Sequence, residues 1–214
     1  MLTKHKVSAL AGAFSLLAIA ATTAMAQPVP LTTAQAPRFV VGDSWTYTLS
    51  DPGNPSRKFS FVQSVHSVSN NEVGVTISNN GGTMPATFDA NGNLTSNGSK
   101  QYLPSDSKLK FPMSVGSTWS SQFTTRTGNG DAATMLNAKV TAVEQVETLA
   151  GTFQAFRIEE TLEVSAPNGK SSFTETDWYA PDAKRIVKFN FVGKAPDGTT
   201  FGTQAVLEQM DIKH

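Results

Sequence analysis

The sequence predicts an all-β protein: one strongly curved antiparallel sheet or incomplete barrel, made of two related, hairpin-rich halves. Three observations carry that prediction. Turn signals recur from residue 51 onward, among them Asp51-Pro52-Gly53-Asn54, Asn79-Asn80-Gly81-Gly82, Gly128-Asn129-Gly130-Asp131, Asn168-Gly169 and Pro196-Asp197-Gly198. Between them lie runs rich in Val, Thr, Phe and Tyr that alternate with period two, as in Trp45-Tyr47-Leu49. Finally, Val41-Gly42-Asp43-Ser44-Trp45 returns 74 residues later as Val115-Gly116-Ser117-Thr118-Trp119.

Residues 1–26 read as a secretory signal. Lys4, His5 and Lys6 precede an apolar run, Ala9–Ala21, and Ala24-Met25-Ala26 is a small-x-small cleavage site ahead of Gln27. The run is too short to span a bilayer, and no later stretch approaches the ~20 apolar residues that a spanning helix needs. Residues 27–38 carry three prolines and no periodicity, which predicts an extended or mobile linker. A single β domain is expected over 39–214, with an internal duplication dividing it at about 39–108 and 109–214.

Each half should open on a tight turn at its glycine, followed by a strand anchored by its tryptophan. Val62, Val65 and Val68 follow the first copy, and Val140, Val143 and Val146 the second. Spacing by three suggests a helix, but β-branched residues favour bulged strands. The C-terminal part predicts a four-strand meander: Phe153–Ser165, Ser171–Tyr179, Ile186–Val192 and Thr199–Ile212. Centring the first hairpin on Asn168-Gly169 places Leu162 opposite Glu175, Glu160 opposite Asp177 and Ile158 opposite Tyr179. The next hairpin then puts Lys188 beside Asp177 and Ile186 beside Tyr179. The other face carries Trp178, Val187, Phe189 and Phe191, which reads as core.

Composition excludes several functions. The chain has 17 basic and 17 acidic residues, and loss of the signal leaves 15 against 17, a net charge of −2. That balance does not favour nucleic acid or an anionic membrane surface. Cysteine is absent, so there is no disulfide, no thiol nucleophile and no cysteine to acylate. The expected location is therefore the periplasm or the external medium, as a soluble exported protein.

Three stretches resemble an uncharacterised group of exported bacterial β domains. They are Phe111–Trp119 (FPMSVGSTW), Ala150–Glu159 (AGTFQAFRIE) and Trp178–Asp182 with Ile186-Val187-Lys188 (WYAPD, IVK). The group's signature runs FPxxVGxxW, AGTFxxxKIE and WYAPxxGxVK, and this chain departs from it at Arg157 and Ala183. The resemblance implies an antiparallel, strongly curved sheet or open barrel and brings no catalytic residues with it. More distantly, the curved sheet resembles half-barrels that carry lipoproteins or lipids across the periplasm.

Few side chains offer chemistry. His66 lies in an alternating run with no nucleophile elbow elsewhere, and reads as a strand residue. Asp89-Ala90-Asn91-Gly92-Asn93 starts like a calcium loop but has Leu94 and Lys100 where Gly and Glu are required, so it reads as a turn. No metal or cofactor motif is present. Glu160, Glu175 and Asp177 form the one carboxylate cluster with a spatial argument, and two facing acids repel unless a cation intervenes. The expectation is a non-catalytic protein that holds a lipid-like or amphiphilic molecule, or an envelope partner, on its concave sheet. Phe156, Ile158, Leu162, Phe173, Tyr179 and Ile186 would line it. The alternatives are a glycan-acting enzyme using the carboxylates and a purely structural or interaction module.

Overall fold

The computed structural model describes residues 30–213, so the signal and the first residues of the linker lie outside the described residues. Twelve strands follow one another: β1 (Ser44–Asp51), β2 (Asn54–Val68), β3 (Val73–Asn79), β4 (Gly82–Phe88), β5 (Leu94–Asn97), β6 (Lys100–Leu103), β7 (Thr118–Thr127), β8 (Gly130–Thr148), β9 (Gly151–Ala166), β10 (Gly169–Ala180), β11 (Arg185–Lys194) and β12 (Thr200–Asp211). The one described helix is a single 3₁₀ turn, Pro181–Ala183. Each strand pairs antiparallel with the next, and β1 also pairs with β12, from Ser44 opposite Asp211 to Ser50 opposite Gln204. The expected incomplete barrel is thus a closed one, because the first and last strands find each other. Closure removes the edges of the first and last strands, although residues 58–61 of β2 pair with β1 alone, because β3 joins β2 only from Val62 onward.

The connectivity places every odd-to-even hairpin at one end. The other end holds the β6–β7 connection, residues 104–117, and the chain start, residues 31–43. These two segments fill the lower barrel. Ala34 and Met113 exchange backbone hydrogen bonds of 2.8 and 2.9 Å and are both buried. The described part of the stretch that reads as a linker is packed against the barrel: the compact unit begins at Leu31, and the Leu31 amide donates to Gln154 Oε1.

The two glycine turns have matching geometry. Gly42 and Gly116 have φ of +97° and +91°, where a side chain would be strained. Gly42 N donates to Val65 O and Gly116 N to Val140 O, both at 2.9 Å. Val65 N then donates to Asp43 O, and Val140 N to Ser117 O, again at 2.9 Å. One residue further along, β2 and β8 each skip a residue, at His66 and Thr141. These bulges bend the two long strands, as the valine spacing suggests. The tryptophans that follow are buried anchors: Trp45 Nε1 donates to Ala183 O and Trp119 Nε1 to Ser107 O.

The meander of β9–β12 forms with a corrected register. Pro167 and Asn168 make the loop, and Ala166 faces Gly169, so the pairing shifts by two residues. Proline has no amide to give to a ladder, and Gly169 takes φ of +126°, which suits the residue after the loop. Glu175 therefore faces Glu160, Phe173 faces Leu162 and Tyr179 faces Phe156. An even shift keeps every side chain on its expected face.

A bulge between Trp178 and Tyr179 makes the larger correction. Tyr179 still pairs with Ile186, but Asp177 faces Phe189, and Lys188 faces Trp178. Lys188 leaves the acidic row and lies over the Trp178 ring, 4.9 Å from its centroid. Phe189 and Phe191 move to the face of Asp177 and Glu175, away from that of Trp178.

Candidate functional site

The inner wall encloses a cavity of about 660 Å³. It runs from the hairpin end down to a floor made by the β6–β7 connection and by Gly92 and Arg185. The walls are mostly aromatic and aliphatic: Tyr47 and Phe61 on one side, Phe173, Phe189 and Phe191 on the other. The rings pack in ladders. Tyr47 stacks on Phe61 at 5.4 Å, Phe61 on Phe59 at 6.3 Å and Phe173 on Phe191 at 5.2 Å. Phe201 meets both Phe173 and Phe191 edge-on or tilted.

Strand alternation extends these ladders to the rim. Phe59 and Phe201 lie two residues beyond the wall residues Phe61 and Thr203, and Met84 faces Ile77. All three are on the inner face, yet are 50%, 46% and 39% exposed. The mouth is therefore apolar and open to solvent. Over β8–β10 the outer face is polar, with Asn137, Lys139, Glu159, Thr161, Thr174 and Thr176.

The predicted lining residues divide into two groups. Leu162, Phe173 and Ile186 line the cavity. Phe156, Ile158 and Tyr179 are fully buried in the packed lower barrel, beneath the floor, with Leu109, Met113 and Phe111 of the β6–β7 connection against them. That connection fills the part of the concavity where they point.

The three predicted carboxylates share one inner row. Glu160 is 2% exposed, Glu175 6% and Asp177 0%. Directly opposed acids would repel, and the cation that intervenes is Lys108, not Lys188. Its Nζ lies 2.5 Å from Glu175 Oε2, 3.8 Å from Asp177 Oδ2 and 3.9 Å from Glu160 Oε2. Lys108 reaches in from the β6–β7 connection, where no alternation rule applies. Asp106 of the same segment is pinned to β5: its amide donates to Leu94 O and its Oδ1 accepts from Leu94 N, both at 2.9 Å.

Protonation follows from burial. Desolvation pushes Glu160 up to about 8 and Asp106 up to about 6, with Lys108 pulling both back. Asp177 is raised well above the usual carboxylate range by burial and by the neighbouring Glu175. The Lys108 ammonium is held charged by the acids around it, which outweigh its own burial. Near neutral pH, then, Glu160 keeps its proton. Arg185 completes the floor. Its Nη atoms donate to Gly92 O and Gln63 Oε1, and its guanidinium lies 4.2 Å from the Phe88 centroid.

Among the described residues, no group of three or more His, Cys, Asp or Glu side chains is arranged to hold a metal ion. No described helix is long and apolar enough to cross a membrane.

Residues 124–188 are similar to the DUF3108-like family. That stretch covers β8–β10 and parts of β7 and β11, and so the whole carboxylate row. No curated protein matches the chain. Among solved structures, a candidate lipoprotein from Parabacteroides distasonis is 13% identical with a TM-score of 0.55. A candidate exported protein with a YmcC-like fold from Bacteroides fragilis is 15% identical with a TM-score of 0.52. Each match covers 85% of this chain and 100% of the neighbour. The hypothetical lipoprotein YmcC from Escherichia coli is 9% identical over 78% of this chain and 84% of its own, with a TM-score of 0.43. The first two likenesses show a shared fold.

Proposed function

We propose that this is an exported, non-catalytic protein whose barrel interior holds an apolar or amphiphilic small molecule. One observation carries the reading: an aromatic-walled cavity of about 660 Å³ continues without a break into an apolar, solvent-exposed rim. That volume lies in the range of drug-sized and acyl-chain ligands. Closed barrels of modest size hold single small ligands in this way. Exposing Phe59 and Phe201 to water is unfavourable unless something covers or passes them. The signal-like residues 1–26 and the neighbours' descriptions as lipoprotein and exported proteins support a place in the cell envelope.

The glycan-acting alternative has less support. Glu160, Glu175 and Asp177 converge on the Lys108 ammonium, which occupies the space between carboxyls that a glycosidic bond would need.

The test is binding of a fluorescent fatty-acyl probe to protein purified without detergent. Saturable binding that Phe191→Asp weakens at least tenfold, with the far-UV spectrum unchanged, is the expected result. Absence of probe binding, together with no amphiphile in a solvent extract of the native protein, overturns the reading.

A further inference from the structure

We propose, resting on the cavity reading above, that the ligand's polar head is positively charged, an amine or quaternary ammonium on an apolar tail, and that it seats against Asp106 and Glu175 at the cavity floor.

The floor holds four carboxyl groups, Asp106, Glu160, Glu175 and Asp177, against two cations, Lys108 and Arg185. Lys108 is already engaged, and of the Arg185 donors the buried Nε–H has no partner. Lys108 lies within 4 Å of three carboxyls. Arg185 donates to Gly92 O and Gln63 Oε1, with one face covered by Phe88. An anionic head would find one free donor, the Arg185 Nε–H, and would have to break these contacts to gain another. The acceptors, by contrast, have capacity to spare: neither oxygen of Glu160 nor of Asp177 has a hydrogen-bond partner, though both residues are almost fully buried. Buried polar atoms of this kind normally find partners. Asp106 and Glu175 are the two acids that line the cavity itself. Ring faces along the walls favour a cation further.

A second positive charge at this floor would favour the ionised form of Glu160, which holds a proton near neutral pH. The groups facing Glu160 are Lys108, Glu175, Asp177 and Asp106; those facing Asp106 are Lys108, Arg185, Glu175, Glu160 and Tyr102. Uptake of a cationic head should thus release protons to solution.

The experiment uses three probes with the same twelve-carbon chain, each below its micelle concentration: dodecylammonium, laurate and dodecanol. Titration calorimetry on the full mature protein should show dodecylammonium binding about tenfold or more tighter than laurate. Repeating the amine titration near neutral pH in buffers of different protonation enthalpy should reveal net proton release. Glu175→Gln and Asp106→Asn should each lower the amine-to-dodecanol affinity ratio about tenfold. If laurate binds as tightly as the amine, or amine binding releases no proton, the cationic-head proposal is overturned while the cavity reading stands. If none of the three binds, both fall. The unsubstituted protein decides between these outcomes even if a variant fails to fold.

Discussion

The two glycine–tryptophan junctions share a backbone and differ in what they do. At Val41–Trp45 the chain begins its barrel; at Val115–Trp119 it resumes it. The turn φ values, the backbone hydrogen bonds and the bulge one residue on are closely matched. The residue after the glycine is not. Asp43 is fully buried and accepts from Val40 N, Lys213 N and Lys184 Nζ, tying together the chain start, the chain end and the β10–β11 turn. The Ser117 hydroxyl, in the same position, bonds only to the amide and hydroxyl of nearby Ser114. The segments before them differ as well. The first docks and closes the barrel, while the second carries Asp106 and Lys108 into its interior. One local motif thus serves closure in one half and site-building in the other.

Four measurements can break or sharpen this comparison. The largest effect should come from Asp43→Ala, which leaves the Lys184 ammonium with only the Lys213 carbonyl and removes the anchor of Val40 and Lys213. We expect a loss of about 3–5 kcal/mol in denaturant unfolding, against about 1 kcal/mol for Ser117→Ala. Equal losses would mean that Asp43 plays no special part in closure.

Next is the interior that the second segment builds. Glu160 and Asp106 are acids held above their ordinary values of 4.5 and 3.8, so the folded state binds more protons than the unfolded state between those values and about 8 and 6. Stability contributed this way is fully present below the unfolded values and is lost as pH rises through the folded ones. The melting temperature should therefore fall by roughly 5 °C or more from about pH 5 to about pH 8. Glu160→Gln should remove much of that slope. A flat profile in the unsubstituted protein would contradict the buried cluster.

The tryptophans offer a finer contrast. Trp45 is completely buried, and its indole bond to Ala183 O is 2.8 Å; that of Trp119 to Ser107 O is 3.1 Å, in a less buried site. Trp45→Phe should cost about 2 kcal/mol and Trp119→Phe about 1 kcal/mol. The smallest difference should separate Gly42→Ala from Gly116→Ala. Both suffer a positive φ, worth ~1–2 kcal/mol. Only at Gly42 would the new Cβ meet another residue, Lys213, at 3.3 Å, whereas Gly116 has nothing within 4 Å. Gly42→Ala should be the worse by a few tenths of a kcal/mol, and the reverse order would show that Lys213 yields freely.

Local patterning made the strands and the faces of β9 and β10 legible. The carboxylate row and the Leu162–Phe173 row lie on the face that alternation assigns them, because the register error was even. What failed was set by single residues. Pro167 took the loop position that Asn168-Gly169 was expected to centre, and the Trp178–Tyr179 bulge moved Lys188 out and Phe189 and Phe191 in. A bulge leaves no mark of its own in a period-two pattern. Closure was also hidden, since nothing in β1 or β12 alone states that they pair. Lys108 and Asp106, the centre of the floor, sit in an irregular connection whose residues no periodicity orients. The facing acids did carry one usable signal: they required a cation, and the error lay in choosing the nearest one along the sheet.

The unbroken circuit of twelve strands has a consequence for any handover of cargo. Proteins with a spare backbone ladder can be engaged by an incoming peptide that zips on as an extra strand. This wall offers a short ladder of that kind near its rim, along residues 58–61 of β2, which pair with β1 alone. If the ligand proposed above is handed on, an acceptor would meet it end-on, at the collar of reverse turns, where Phe59, Met84 and Phe201 already stand in water.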